Sequence, residues 1–215
     1  ALLALSLDQR APMTIRVNRA QMSRETLAEQ LRAEGIETTP TSMAPDGLHL
    51  QKRVALGNIE LYRRGAFEVQ DESSQCFVEA IPGVEPGATV LDLCAGAGGK
   101  SLALAAKGAR VRAYDVRTPI LRELARRADR AGLEIEIDEP EPAEVVIVDA
   151  PCSGTGRLRR EPALRWGLEP LARVELQQEL IEDAASLVTE GGILAYATCS
   201  LLSAENTHSP PSEGS

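Results

Sequence analysis

The chain has 215 residues, 43% hydrophobic and 26% charged, which is enough for one sizeable core with a small appendage and excludes a large multidomain assembly. Residues 1–69 hold nine basic against eight acidic side chains and residues 70–215 hold fourteen against twenty-four; the net charge of −9 counts against nucleic-acid binding by overall charge and leaves it to local fields. No apolar run approaches the roughly 20 residues that cross a bilayer, and Ala1–Leu5 is too short and lacks the basic flank of a signal peptide, so the expected setting is soluble and cytoplasmic, without a membrane partner.

In chain order, residues 1–69 predict a small α+β module. Met13–Asn18 reads as a strand, and Ser23 can cap a helix that places Leu27 and Leu31 on one face and ends near Gly35. Short extended pieces follow around Ile36–Ser42 and Leu48–Gln51, punctuated by Pro40, Pro45 and Gly47. From Gln70 the pattern changes. A helix is expected over Glu72–Ala80, a strand over Thr89–Cys94, a helix over Lys100–Lys107 and a strand over Arg110–Asp115. Then come a helix over Pro119–Ala131, strands at Leu133–Ile137 and Val145–Asp149, a helix over Arg173–Thr189, and a last strand at Ile193–Thr198 after Gly191-Gly192. Strands separated by helices imply crossovers and a parallel sheet. Residues 70–208 therefore predict a doubly wound α/β domain with its ligand site at the carboxyl ends of the strands. The stretch 209–215, rich in Ser, Pro and Gly, is expected as a disordered tail. The absence of an initial Met and the composition of this tail are compatible with cuts within a longer parent chain.

The first strand of that domain runs into Cys94-Ala95-Gly96-Ala97-Gly98-Gly99-Lys100. Glycines there let the backbone turn sharply and approach a ligand before a helix starts. Asp115, 19 positions after Gly96 at the end of the next strand, stands where an acid can bond ribose hydroxyls. Loop and acid together indicate a nucleoside cofactor, either NAD or S-adenosylmethionine. The spacing leans against NAD, because Ser101 replaces the third glycine of G-x-G-x-x-G.

Cys76, Cys94, Cys152 and Cys199 are widely spaced and His49 and His208 do not join them, so neither a metal site nor a disulfide scaffold is expected. Two of these thiols close strands: Asp149-Ala150-Pro151-Cys152-Ser153 ends one and Thr198-Cys199-Ser200 the next. Either cysteine alone is more often an inert buried thiol; both at adjacent strand ends, beside a cofactor loop, point to chemistry. Arg157, Arg159, Arg160 and Arg165 follow directly and offer phosphate contacts, and Trp166 offers a stacking surface.

With these motifs the chain resembles the RNA cytosine-5 methyltransferases of the RsmB/Nop/NSUN type. The resemblance rests on Val90–Lys100, Asp149–Ser153, Arg159-Arg160-Glu161-Pro162 with Trp166, and Ala197–Ser200, with Arg16-Val17-Asn18 and Gln70–Gln75 ahead of the sheet. It implies a Rossmann-like class I methyltransferase domain behind an RNA-binding module. It also implies S-adenosylmethionine held by Cys94, Ala95, Gly96, Ala97, Gly98, Gly99 and Lys100, with Asp115 on the ribose, Asp138 near the adenine and Asp149 near the methyl group and target base. Cys199 is then the nucleophile and Cys152 assists product release, while Pro151, Arg159, Arg160 and Trp166 meet the RNA, ribosomal RNA first and transfer RNA second. The chemistry suits these residue types: a thiolate adding at C6 makes the weakly nucleophilic C5 of cytosine reactive, and an acid at N3 stabilises the adduct. The base must be unstacked to be reached.

This sequence departs from the family in Gly96-Ala97, where many relatives have Ala-Pro, and after Glu205-Asn206, where Thr207-His208-Ser209-Pro210-Pro211 stands in place of the last strands. Two other readings remain open: a cofactor- or RNA-binding module without turnover, and a nicotinamide-dependent enzyme, which leaves the two thiols unexplained.

Overall fold

The structure, a computed structural model, describes residues 10–169 and 172–207; the expected tail at 209–215 lies outside them. Two sheets organise the chain. In the first, β1 (Met13–Val17) pairs antiparallel with β3 (Gly47–Leu50) and with β4 (Phe67–Val69), and β2 (Thr38–Pro40) lies outside β3. The Ser23 side chain accepts from the Thr26 N–H at the start of α1 (Arg24–Ala33), whose Leu27 and Leu31 are fully buried with Ile15, Leu48 and Phe67. β4 and the short α2 (Glu60–Arg63) had no sequence signal; a three-residue strand with the charged Glu68 inside shows no apolar alternation.

The second sheet is parallel throughout, in the order β7-β6-β5-β8-β9. Its strands are β5 (Thr89–Asp92), β6 (Arg110–Ala113), β7 (Ile135–Ile137), β8 (Ala143–Asp149) and β9 (Val188–Ala197). Three helices, α3 (Glu72–Ala80), α4 (Gly99–Ala106) and α5 (Thr118–Ala131), precede or join the first strands, and α6 (Val174–Ser186) joins β8 to β9. β8 is apolar on both faces because both are covered: Val145 and Ile147 pack with Val78 and Leu104, Val146 and Val148 with Ala184 of α6. The chain order reverses between β5 and β8, and this switch point opens a crevice at their carboxyl ends.

Two boundaries differ from expectation. α6 ends at Ser186 and β9 starts at Val188, so that Gly191-Gly192, expected as a connecting loop, form a bulge inside the strand: Ala143 pairs with Val188 but Val145 already with Ile193. The connection from β7 to β8 has five residues, 138–142, and passes two intervening strands. Parallel crossovers ordinarily take a dozen residues or more, so this one crosses extended, without a helix. Arg112 holds it, donating to the Glu139 carbonyl (3.0 Å) and pairing with Glu136 (3.0 Å) and Glu141 (2.9 Å). Among the described residues no helix is long and apolar enough to cross a membrane.

Candidate active site

A cleft of about 1610 Å³ opens at the switch point, and Cys94, Lys100, Asp115, Asp149, Cys152 and Cys199 all line it. A second hollow, of about 890 Å³, lies beside the β6–β7 edge and contains none of the predicted site residues. One wall carries Cys94 and Lys100, the two ends of the glycine loop; Ala95, Gly96, Ala97, Gly98 and Gly99, predicted with them, do not line the cleft. Gly96 and Gly98 adopt φ of +53° and +82°, in the left-handed region that side chains disfavour. A Cβ on Gly98 would also lie 2.5 Å from Leu124 Cγ. Below the loop Asp92 is buried and accepts from Ser101 Oγ at 2.6 Å; burial pushes its carboxyl up to about 6.

Asp115 sits two residues beyond β6 and is 4% exposed. The Gly96 N–H donates to it at 2.9 Å, and Arg117 donates to it as well, through its backbone N–H (2.9 Å), Nε (3.0 Å) and a terminal nitrogen (2.9 Å). Burial opposes ionisation, yet these hydrogen bonds outweigh it and hold the carboxyl below its ordinary value. Exposed Val116 and the Pro140 edge flank the same end of the cleft. Asp138 is exposed just past β7 and bonds the Glu139 N–H, and it does not line the cleft.

On the other wall, Asp149 ends β8 and pairs with Lys100 Nζ at 2.5 Å, while Lys100 also lies 5.6 Å from the Phe77 ring centre. Asp149 is in register with Ala197 of β9, so the two strands deliver Pro151-Cys152 and Thr198-Cys199 to the same level. The Cys152 and Cys199 sulfurs are 3.2 Å apart. A thiol donating to a neighbouring thiolate lowers the first ionisation of such a pair and raises the second. Cys152 is pulled down to about 6 by the hydrogen bond from Cys199, against burial and with help from backbone N–H groups, and Cys199 is raised in turn. The positive charge of Arg157 favours ionisation of Cys199 but does not offset this rise. By contrast, burial pushes Cys94 up to about 12, and Cys76 is also raised by burial.

Of the basic stretch, Arg157 and Arg160 line the cleft, paired with Glu161 (2.5 Å) and with Asp71. Arg159 reaches the Arg10 carbonyl at 3.3 Å, and Trp166 is 86% exposed on the turn Pro162–Trp166, outside the cleft wall. Sequence reading singled out Arg157 only as part of a basic run and gave Glu205 no role. Yet Glu205 is fully buried behind the two cysteine loops.

A family model described as the 16S rRNA methyltransferase RsmB/F matches residues 82–209, and one described as the ferredoxin-like domain of RsmF/B-like methyltransferases matches residues 3–57. The chain belongs to the RsmB/F methyltransferase family. Its relatives include the probable ribosomal RNA small subunit methyltransferase B of Bacillus subtilis, 35% identical over 90% of this chain and 47% of that protein. The chain thus spans about half the length of the curated relatives it matches. Among solved structures it is similar to the protein PH0851, with TM-score 0.87 and 29% identity over 94% of this chain and 49% of that one. It is also similar to a methyltransferase homologue from Pyrococcus horikoshii, with TM-score 0.80 and 25% identity over 94% of this chain and 69% of that one. The expected Rossmann-like class I methyltransferase fold is what the parallel sheet and these neighbours show.

Proposed function

We propose that the protein of which this chain is part or whole transfers a methyl group from S-adenosylmethionine to C5 of a cytosine in RNA, ribosomal RNA by its family, through a covalent cysteine adduct. The observation that carries the reading is the thiol pair, 3.2 Å apart at the ends of adjacent strands and beside Asp149. The cleft suits the cofactor: Cys94 and Lys100, at the two ends of the glycine loop, line it together with Asp115. S-adenosylmethionine supplies an electrophilic methyl group. The protein's own groups do the rest. Cys199 passes its proton to Cys152 and adds as a thiolate to C6, and Asp149 at N3 stabilises the adduct so that electron density gathers on C5. After C5 is alkylated its proton passes to solvent, the C6–S bond breaks, and Cys152 returns the proton it took from Cys199 to the departing sulfur. Arg157 and Arg160 at the cleft exchange partly exposed carboxylate partners for RNA phosphates, at small cost, and Arg159 and Trp166 extend this contact outside it.

Incubating the 215-residue chain with cofactor and RNA containing 5-fluorocytidine, then running a denaturing gel, tests the assignment. The fluorine cannot leave as a proton does, so the adduct is trapped. A covalent band is expected that disappears in Cys199→Ala; a band that survives this change and is lost in Cys152→Ala reverses the roles of the thiols, and no band in any form refutes the covalent route.

A further inference from the structure

Ser153 and Ser200 each follow one cysteine of the pair, and both are held by the same buried carboxylate, Glu205, which is 0% exposed. One carboxylate oxygen accepts from the Ser153 N–H at 2.8 Å and from Gln177 Nε2 at 3.2 Å; the other accepts from Ser153 Oγ at 2.5 Å and from Ser200 Oγ. The two hydroxyls lie 3.1 Å apart. Further bonds lock the segment carrying Glu205: Tyr196 Oη donates to its carbonyl (3.0 Å), and Asn206 Nδ2 to the Ser200 carbonyl (3.0 Å). Burial opposes ionisation of this carboxyl, but the bonds from Ser153 and Ser200 outweigh it and keep it charged. A buried charge with every oxygen saturated by two separate loops has little freedom to move.

We propose that Glu205 is a positioning residue for the thiol pair: by clasping Ser153 and Ser200 with one carboxylate it fixes the distance between the Cys152 and Cys199 sulfurs. The inference rests on the reading of the pair as the reacting thiols, but the distance can be probed without that reaction. Phenylarsine oxide bridges two neighbouring thiols, forming two As–S bonds and releasing one water, and does so rapidly only when the sulfurs are close.

Capture of Cys152 and Cys199, followed by mass spectrometry, is expected to slow at least tenfold in Glu205→Ala, while affinity for S-adenosylhomocysteine, measured by calorimetry, stays within about threefold of the unaltered chain. Glu205→Gln keeps an oxygen for the Ser153 N–H and can donate to the serine hydroxyls, so it should restore capture to within about threefold. Capture at the original rate in Glu205→Ala overturns the inference, and so does a failure of Glu205→Gln to restore it. If Glu205→Ala does not fold, Ser200→Ala removes one arm of the clasp alone: slowed capture supports the role and unchanged capture overturns it. Slowed capture in a protein whose unaltered form makes no 5-fluorocytidine adduct leaves the clasp standing and sinks the proposed reaction instead.

Discussion

Arg117 shows how a single side chain can set the terms of binding. Its guanidinium and backbone N–H, with the Gly96 N–H, take up all the acceptor directions of the Asp115 carboxylate, which the ribose diol would share. The Arg117 side chain is 66% exposed, so the ion pair is worth only about 1 kcal/mol and a cofactor can displace it. Arg117→Gln is therefore expected to tighten S-adenosylhomocysteine binding by a factor of roughly five, the equivalent of that 1 kcal/mol. Calorimetry checks this, and an unchanged or weaker affinity would mean that the arginine does not compete. Sequence reading singled out Asp115 from its spacing but not Arg117, because a contact between residues two apart in a loop has no periodicity to betray it.

At the scale of elements, the glycine loop carries the tightest requirement. Gly98 combines φ of +82° with Leu124 from α5 pressed against the place of a Cβ, 2.5 Å away. Gly98→Ala must either strain the backbone or push α5 outward, a cost of about 2–4 kcal/mol that urea denaturation would measure. Gly96 has φ of +53° but open space around it, with only Arg117 at 3.8 Å, so alanine there should cost about 1 kcal/mol from the backbone alone. A larger loss at Gly96 than at Gly98 would contradict this ordering. The elements themselves were largely legible: strands flanked by glycine and proline, and helices with apolar faces, stand within a few residues of their expected limits. The exceptions have physical causes. Gly191-Gly192 read as a loop because glycines punctuate loops, yet here they let β9 bulge where a Cβ on Gly192 would meet the Glu144 carbonyl at 2.6 Å. β4 escaped notice because its middle residue, Glu68, is a buried charge in a strand only three residues long.

That charge belongs to the whole molecule. Glu68 in the first sheet receives Arg127 (3.0 Å) and Arg130 from α5 in the second unit, and Arg127 also donates to the Ala97 carbonyl of the glycine loop at 2.5 Å. Gln70 adds a bond to the Gly99 carbonyl at 3.0 Å, and Asn18 joins the Gly65 and Ala131 carbonyls at 3.0 and 2.9 Å. The small module is thus bonded to the glycine loop as well as to α5. Glu68→Gln leaves two largely buried guanidinium groups without their anion and should cost about 3 kcal/mol in stability. Because Arg127 then loosens from Ala97, S-adenosylhomocysteine affinity should also fall several-fold; reduced stability with full affinity would separate the module from the loop.

Local order was in the sequence by itself: where strands and helices lie, that the second unit is a parallel sheet, and which loops carry Cys152, Cys199, Asp149 and the glycines. These follow from apolar period, caps and breakers, which act over a few residues. Only the tertiary structure decided that β5 and β8 are neighbours, that the two sulfurs stand 3.2 Å apart, and that Glu205 clasps Ser153 from 52 positions away. Such contacts depend on strand order and on how loops pack against one another, and no local pattern of residue types specifies either.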